Sequence, residues 1–520
     1  MSVSRKFHRW GVLAYIGLCI GYAIMVIGVL PWWTPVAVAL AWLALAYGFR
    51  WGHPAQRQAT RKPLPWSLLP LALWWVYIYL DDSFGQLDLG AVIFHLQAGI
   101  EENGSTDRQI AGVLYALAGS VMLVAVTWLV RADHRWRLWE RVLTLFLIAF
   151  NPLLFGLSLR GASVIDDDES WLNDRYLSPA IEAEPAEPPN LIYLYLESTE
   201  RTYADTEAFG DVYEDLADLG ERGVVFKGVK QLDNTGWTMG GMVASQCGTP
   251  LMPAGLMHDN QFEPLSKVLP GADCLGDLLH ERGYRLAYMG GASTRFAGKN
   301  KFYADHGFDT VLGKDELQDE APPGYLNDWG LYDDTLLGLA ETRIRHLHDS
   351  DGPYAFFGLT LAAHPPFGNP SQSCIDNQGP FDGTDILYSV KCTGWLVKNF
   401  IDRLDDEGLL DNTVVVVASD HLSMKNSAWE TLVDENRENT LIMLGDSLNT
   451  RVIERSATMV DVLPTVLEAM GFGIPQHRAG LGVSLFSPTP TLIERYSLQT
   501  LNRRVRDENR LQERLWSGVN

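Results

Sequence analysis

The sequence contains little cysteine, fewer basic than acidic residues, and no long hydrophobic run beyond residue 160. It has 41 Lys and Arg residues and 64 Asp and Glu residues, which give a formal net charge of -23. This balance argues against nucleic-acid binding through a broad basic surface. The five cysteines form no Cys-x-x-Cys or Cys/His pattern, which argues against a thiolate metal site, and the chain has no internal repeat.

The apolar residues are concentrated in the first 160 positions, where they form five segments. Gly11 to Leu30 has 20 residues and Ile110 to Val130 has 21, all uncharged, and each can cross a hydrocarbon core of about 30 Å. Three shorter segments, 34–49, 66–80 and 142–157, have Trp, Tyr or Arg flanks that extend them into the interface. We therefore predict five membrane-spanning helices, with a buried or interfacial helix as the alternative for each shorter segment.

The charges of the short loops predict the orientation of these helices, because Lys and Arg collect on the cytoplasmic side. The basic loop residues precede span one or lie between spans two and three and between spans four and five. They are Arg5, Lys6, Arg9, Arg50, Arg57, Arg61, Lys62, Arg131, Arg135 and Arg137. The N-terminus is therefore predicted to be cytoplasmic, with everything after span five outside. Span one is too long, and lacks a small-residue cleavage site, for a removable signal peptide.

Composition divides the chain into three parts. Residues 1–162 form the predicted transmembrane domain, and 163–190 are acidic and Pro-rich, as in a stiff juxtamembrane linker. Residues 191–520 form the predicted external domain, which contains four cysteines.

The four cysteines of the external domain are expected to form two disulfides, because an oxidising compartment favours them. Three connectivities are possible, and we favour the pairing of sequence neighbours, Cys247 with Cys274 and Cys374 with Cys392. Four buried free thiols are the alternative.

The external domain alternates apolar strands with amphipathic helices, which indicates a doubly wound α/β fold. The predicted strands are Leu191 to Leu196, Arg285 to Met289, Tyr354 to Leu361 and Val414 to Val417, and helices are predicted at Val268 to Gly283 and Tyr332 to His348. In such folds the ligand site lies beyond the carboxyl ends of the parallel strands. Here those ends carry Glu197, Gly290-Gly291, His364 and Asp420-His421.

Two of these strand ends carry side chains that suit a hard metal ion. Glu197 follows the first strand, and Asp420 with His421 follows the run Thr413-Val-Val-Val-Val-Ala-Ser. Thr238 lies where a glycine-bearing loop leads into a helix, whose N-terminus attracts anions. Coordination to a divalent cation would activate its hydroxyl as a nucleophile toward phosphorus. The alternatives are surface charges or helix caps for the carboxylates and an N-cap role for Thr238.

Four motifs together resemble one known family. They are Leu-Tyr-Leu-Glu197-Ser, Gly-Trp-Thr238, His364-x-Pro-Phe and Ser-Asp420-His421. In order and spacing they resemble the membrane-anchored phosphoglycerol transferases of the alkaline phosphatase/sulfatase superfamily. Three longer motifs look most similar to the transferases acting on periplasmic glucans: Glu197-Ser-Thr-Glu-Arg-Thr-Tyr203, Gly236-Trp-Thr-Met-Gly-Gly-Met-Val-Ala-Ser-Gln-Cys-Gly248 and Lys299-Asn-Lys-Phe-Tyr303. Lipoteichoic acid synthases and lipid A phosphoethanolamine transferases look like more distant relatives. The resemblance spans roughly residues 190–488 and implies a bacterial inner-membrane protein whose catalytic domain is periplasmic.

The resemblance also implies roles for individual residues. One divalent metal ion, Mn²⁺, Mg²⁺ or Zn²⁺, would be held by a set of four ligands, Glu197, Thr238, Asp420 and His421. His364 matches a substrate-binding histidine, with a buried core histidine as the alternative. Lys299 falls where the synthases carry an arginine that contacts glycerol phosphate, and nearby Arg295 is an equally reasonable phosphate ligand. The sequence departs from the synthases at Trp237, where they carry a lysine, and at Ala297, where they carry an aromatic residue.

The reaction that this resemblance implies has two steps. Thr238 attacks the phosphorus of phosphatidylglycerol, diacylglycerol leaves, and a glucan hydroxyl then takes the phosphoglycerol from the threonine. The alternatives are a phosphoethanolamine transferase acting on lipid A and a catalytically silent membrane sensor. The intact predicted ligand set argues against the sensor. Sulfatases mature a Cys or Ser in Cys/Ser-x-Pro-x-Arg, and Cys247-Gly-Thr-Pro-Leu does not fit that pattern.

Overall fold

The computed structural model describes residues 170–252, 267–379, 385–508 and 510–517, and the isolated positions 73, 145, 148 and 149. The five predicted membrane spans lie almost entirely outside these residues, so they stay predictions. Across the stretches just given, no helix combines the length and apolar character needed to cross a membrane.

The described residues contain ten strands, numbered β1 to β10 in chain order. They are β1 Asn190–Leu196, β2 Val224–Lys230, β3 Arg285–Gly290, β4 Thr310–Leu312, β5 Tyr354–Leu359, β6 Thr413–Ser419, β7 Leu441–Leu444, β8 Arg451–Thr458, β9 Arg478–Ala479 and β10 Gly482–Val483. The first eight form one sheet in the order β4-β3-β5-β1-β6-β7-β2-β8, and β9 pairs with β10 in a small antiparallel ribbon.

The large sheet is mixed rather than wholly parallel. Strand β7 is antiparallel to both of its neighbours, β6 and β2, and every other pairing is parallel. The other seven strands therefore run in one direction and end at one edge. The sequence did not predict β7, because this four-residue strand is too short to give a clear alternation of its own.

The apolar runs of the central strands are continuous because both faces of the sheet are covered. Along β1, Leu191, Tyr193 and Tyr195 pack into one core, while Ile192, Leu194 and Leu196 pack into another on the opposite face. Strand β1 lies between β5 and β6, paired to both in parallel. Its carboxyl end therefore reaches the middle of the edge where the functional side chains were predicted.

Fourteen α-helices are present in the described ranges. They are α1 Thr206–Phe209, α2 Glu214–Gly220, α3 Thr238–Cys247, α4 Leu275–His280, α5 Lys299–Asp305, α6 Lys314–Leu317, α7 Asp333–His348, α8 Gln372–Gln378, α9 Asp385–Asp406, α10 Trp429–Leu432, α11 Val462–Ala469, α12 Leu492–Tyr496, α13 Leu498–Asp507 and α14 Arg510–Ser517. Short 3-10 helices lie at Asn173–Arg175, Arg201–Ala204, Phe296–Gly298, Met459–Asp461 and Pro475–His477.

Two predicted elements are shorter in the structure than the sequence indicated. The helix predicted from Val268 to Gly283 is reduced to α4, which begins at Leu275 because the Asp277 carboxylate accepts the backbone N–H of Cys274 at 2.8 Å and caps the helix there. The strand predicted from Tyr354 to Leu361 ends at Leu359, since the backbone N–H of Leu361 turns to the Asp333 carboxylate.

Residues 170–189 of the predicted linker pack along the α/β domain. Leu172 is buried, and its backbone N–H donates to the Glu508 carboxylate at 2.8 Å. Isolated bridges join Leu177 to Gly480 and Ala183 to Gly473. The acidic, Pro-rich composition therefore does not keep this part of the segment apart from the domain.

Candidate metal centre

The ends of the two central strands bring three predicted ligands together. Strand register pairs Leu196 of β1 with Ser419 of β6, so that Glu197 and Asp420 follow side by side. His421 Nε2 lies 3.5 Å from Glu197 Oε1 and 3.3 Å from Asp420 Oδ2. One potential ligand atom from each of the three residues lies within 4.8 Å of the others, and all three side chains are buried.

Hydrogen bonds leave one atom of Asp420 and one of His421 directed to the centre of this cluster. Asp420 Oδ1 accepts the backbone N–H groups of Ser198 at 2.9 Å and His421 at 2.8 Å, whereas Oδ2 is buried and takes no hydrogen bond from the described residues. His421 Nδ1 donates to the Leu422 carbonyl at 2.7 Å. This bond fixes the tautomer that offers the Nε2 lone pair as a ligand.

The charges of the cluster are strongly coupled. Burial opposes ionisation of Glu197, but contact with His421 and the charges of His364 and His421 lower its pKa to about 2. Burial, and then the charge of Glu197, raises the pKa of Asp420 to about 8. Burial disfavours the imidazolium of His421, yet Asp420 and Glu197 raise its pKa to about 9. A cation bound at this cluster would compete with protons for the same ligand atoms.

These residues fit a divalent cation. Two carboxylates and one imidazole are buried with an orphaned carboxylate oxygen between them, a combination that is costly unless a positive charge compensates it. Oxygen and nitrogen donors suit Mn²⁺, Mg²⁺ or Zn²⁺, and the donor types alone do not select one of them.

Thr238, the fourth predicted ligand, is the first residue of α3 and reaches the same cluster. Its hydroxyl donates to Glu197 Oε2 at 3.4 Å. Thr238 is only partly buried, whereas the remainder of α3 is buried in the core. The hydroxyl thus lies between the buried ligands and the exterior, at a helix N-terminus that favours an anion.

His364 follows β5 on a turn that a buried carboxylate organises. Asp333 accepts the backbone N–H groups of Leu361 at 2.6 Å and Ala362 at 3.2 Å, and the Thr393 hydroxyl at 2.8 Å. His364 Nδ1 donates to the Pro365 carbonyl at 2.8 Å. The Trp329 ring lies against the imidazole, with ring centroids 3.9 Å apart. The two ring planes are tilted by 34°, and this contact restricts the orientation of the His364 ring.

The two predicted phosphate-binding cations have different environments. Lys299 is buried, and its Nζ donates to the Phe296 carbonyl at 3.0 Å. Burial lowers the pKa of Lys299 to about 8, against the opposing charges of Glu197 and Asp420. Arg295 is exposed and forms an ion pair with Asp315 at 3.1 Å. Of the two cations, Lys299 is the one whose pKa is affected by the charges of the carboxylate cluster.

Comparison with known proteins decides the family. The sulfatase family model matches residues 189–472, which is more than half of the chain and includes every residue of the candidate site. The chain belongs to the sulfatase family.

Relatives of this sulfatase-family chain include phosphoglycerol transferases. It is 34% identical over 423 residues to phosphoglycerol transferase I of Citrobacter koseri, covering 79% of this chain and 55% of the relative. The chain thus spans about half the length of the curated relatives it matches. Among solved structures, an alkaline phosphatase superfamily protein from Vibrio parahaemolyticus has a TM-score of 0.47 at 21% identity, covering 64% of this chain and 78% of that one. Lipoteichoic acid synthase LtaP from Listeria monocytogenes has a TM-score of 0.46 at 16% identity, with coverages of 61% and 81%.

The sulfatase-family domain contains both favoured disulfides. Cys247 is bonded to Cys274, and Cys374 is bonded to Cys392, which confirms neighbour pairing. The first disulfide joins the end of α3 to the start of α4 and so fixes the helix that carries Thr238. A second group with metal-ligand atoms, Cys274, Asp277 and His306, is closed by this bond, since the Cys274 sulfur is not available as a thiolate.

Several residues of the sulfatase-family site were missed by sequence reasoning. Trp329 comes from a loop far from His364 in sequence and carries no motif, so only the fold could reveal their contact. Glu200 lies inside the motif that begins at Glu197, but its partner Arg437 follows β6 by a long connection. The one signal in the sequence was a second acidic residue three positions after Glu197, and only the structure shows that it is buried.

Proposed function

We propose that this protein is a metal-dependent transferase that moves phosphoglycerol from phosphatidylglycerol to a hydroxyl group of a periplasmic glucan, releasing diacylglycerol. One observation carries the proposal. The Thr238 hydroxyl lies 3.4 Å from Glu197 Oε2, at a helix N-terminus beside a buried cluster that fits a divalent cation. The similarity to phosphoglycerol transferase I supports the choice of transferred group.

Glu197, Asp420 and His421 would hold the metal ion, with the Thr238 oxygen as a fourth ligand. When bound, the ion would lower the pKa of the threonine hydroxyl and neutralise negative charge that develops on the phosphoryl oxygens. The Thr238 hydroxyl donates its hydrogen toward Glu197 Oε2. The residues thus supply a nucleophile whose direction is set before substrate binds.

In the first step, Thr238 Oγ1 forms a bond to phosphorus as the bond from phosphorus to the diacylglycerol oxygen breaks. The threonine proton leaves to solvent, and the departing diacylglycerol oxygen takes a proton, for which His364 is the proposed donor. In the second step the deprotonated His364 takes the proton of a glucan hydroxyl as that oxygen forms a bond to the same phosphorus. The bond from phosphorus to Thr238 Oγ1 breaks, which restores both residues. Lys299, buried and electrostatically coupled to the carboxylates, is proposed to contact the phosphoryl group.

The lipid donor links the reaction to a membrane. We propose that the five predicted spans anchor the protein in a bacterial inner membrane, with the N-terminus cytoplasmic and the described domain in the periplasm. The two disulfides support an oxidising compartment for this domain. An anchored domain can meet a lipid headgroup, while a glucan diffuses to it.

Liposomes containing headgroup-labelled phosphatidylglycerol test the proposal. Purified protein should release diacylglycerol and move the label to added glucan, and Thr238→Ala should do neither. A parallel assay uses headgroup-labelled phosphatidylethanolamine with lipid A. Transfer in that assay, without transfer from phosphatidylglycerol, would contradict the proposal and favour a phosphoethanolamine transferase.

A further inference from the structure

We infer that Glu200, held by Arg437, is a positioning residue that orients His421 for metal binding. The inference rests on the proposed metal centre and adds two residues that touch neither metal nor substrate. Glu200 is fully buried, three residues beyond the ligand Glu197. Arg437 comes from the connection between β6 and β7 and is also largely buried.

The two side chains form a bidentate pair. Arg437 Nε donates to Glu200 Oε2 at 3.0 Å, and Nη2 donates to Glu200 Oε1. The Thr202 hydroxyl adds a third hydrogen bond to Glu200 Oε2 at 2.6 Å. A carboxylate with both oxygens fixed in this way has one orientation, and burial of the pair strengthens each bond.

Glu200 is connected to His421 through a single peptide group. Its Oε1 accepts the backbone N–H of Ser423 at 3.1 Å, and that N–H belongs to the same planar unit as the Leu422 carbonyl. The Leu422 carbonyl in turn accepts His421 Nδ1 at 2.7 Å. Because the N–H and C=O groups of a trans peptide point in opposite directions, fixing one fixes the other.

Arg437 also contacts the other side of the same loop. Its Nη2 donates to the Ser423 carbonyl at 2.5 Å, so that the two peptide groups flanking Ser423 are both held by the ion pair. The Leu422 N–H donates to the Gln231 side chain at 2.8 Å, which limits rotation of the preceding peptide. The loop after His421 is thus held at consecutive peptides, and the carbonyl that sets the histidine tautomer cannot turn away.

The physical consequence concerns metal affinity. A histidine ligand depends on the group that fixes its other ring nitrogen, and losing such a partner typically weakens metal binding by about 10- to 100-fold. Without the ion pair, the Leu422 carbonyl would rotate, and the His421 ring would spend part of its time turned from the cluster. Glu200 and Arg437 therefore act on the metal through one peptide and one imidazole.

Calorimetric titration of the metal-stripped full chain with Mn²⁺, and separately with Zn²⁺, tests the inference. Arg437→Ala should weaken binding by about 10- to 100-fold. Arg437→Lys should weaken it less, because an ammonium keeps the charge but cannot reproduce the bidentate contact. Arg222→Ala is the matched control, since it removes an ion pair with Asp402 on the surface, and its affinity should equal that of the wild type.

Arg437→Ala leaves the Glu200 charge buried without its partner, so thermal unfolding of each variant is measured alongside. If Arg437→Ala does not fold, the inference is tested with Glu200→Gln. The amide oxygen of this variant can still accept the Ser423 N–H, so metal affinity should fall by a smaller factor than expected for Arg437→Ala. Folded Arg437→Ala or Glu200→Gln protein with wild-type affinity would overturn the inference. A wild-type chain that binds neither ion would overturn the metal centre itself, and the inference with it.

Discussion

A Cβ atom at Gly241 would lie 1.6 Å from the carbonyl oxygen of Asp420. The helix that begins with Thr238 therefore packs directly against the loop that carries two predicted metal ligands. No side chain fits between them, so glycine at this position sets the distance between Thr238, the proposed nucleophile, and the predicted ligands.

Replacing this glycine should separate the two elements. We expect Gly241→Ala to lower the free energy of unfolding by about 3 kcal/mol and to abolish transfer, because the helix must move away from Asp420. The matched control is Gly338→Ala in α7, where an added Cβ meets nothing within 4 Å. That change should raise the free energy of unfolding by up to about 1 kcal/mol. Urea denaturation and the liposome assay measure both effects, and a Gly241→Ala protein of wild-type stability would contradict the packing.

Removal of a predicted ligand should abolish metal binding. Asp420→Ala and His421→Ala should each lose transfer by more than about 100-fold, beyond the range typical of a residue that only supports a ligand. Chelation should inactivate the wild type, and an added divalent cation should restore it. Asp411→Ala, an exposed acidic residue before β6, is the control and should keep full activity. Full activity after exhaustive chelation would rule out the metal-dependent reaction.

The covalent step predicts a trapped intermediate. Labelled phosphatidylglycerol given without acceptor should leave phosphoglycerol on the peptide containing Thr238, and glucan should remove it. Thr238→Ala should lose labelling and turnover together, whereas Thr238→Ser should keep part of both, because its hydroxyl lacks only the methyl that restricts the rotamer. Mass spectrometry of the digested protein measures the label. Efficient transfer by Thr238→Ala would instead mean direct attack of the sugar on the lipid.

The Trp329 ring should matter for substrate handling rather than for the metal. His364→Ala should slow transfer while leaving some labelling of Thr238, because the metal cluster and nucleophile remain. Trp329→Ala should reduce kcat/KM by releasing the His364 ring, and Trp329→Phe should retain most of the activity because an aromatic ring still lies against the imidazole. Steady-state kinetics with metal titration of each variant separate the two effects. A Trp329→Ala protein with weakened metal binding would contradict this division of roles.

Asp333 predicts a pH dependence of stability. Burial raises its pKa to about 6, against hydrogen bonds from Leu361, Thr393 and Ala362. When the pKa of a carboxyl is higher in the folded than in the unfolded state, the folded protein keeps that proton up to a higher pH. Its ionisation therefore costs stability as pH rises from the unfolded value of about 4 through 6.

Comparison with Asp333→Asn isolates this contribution. Between pH 5 and 7.5 the wild type should lose about 1 kcal/mol of stability relative to the variant, because only the wild type ionises at this position. Denaturant unfolding at the two pH values provides the measurement. A constant difference between the proteins across that range would show that Asp333 is already ionised at pH 5.

Much of the candidate site could be predicted from local sequence. The run before Glu197 and the run before Asp420 are strongly β-forming and apolar, and parallel strands end at a common edge, so the ligands could be expected together. The favoured disulfide pairing, in which each cysteine bonds to its neighbour in sequence, was also correct. Strand β7 and the true start of α4 were not predictable in this way, because a four-residue strand has too few positions to show a period and the helix start depends on one side-chain cap.

The sequence by itself determined the α/β alternation and the residue types that can hold a cation, since both depend on short-range pattern and on side-chain chemistry. Tertiary structure decided which residues support those ligands. Glu200 meets Arg437 across a separation of 237 residues, and His364 lies against a tryptophan from another loop. Such contacts depend on the path of the chain between strands and leave no periodic signal. The fold therefore determines how firmly the predicted ligands are held, although the sequence already predicts which residues they are.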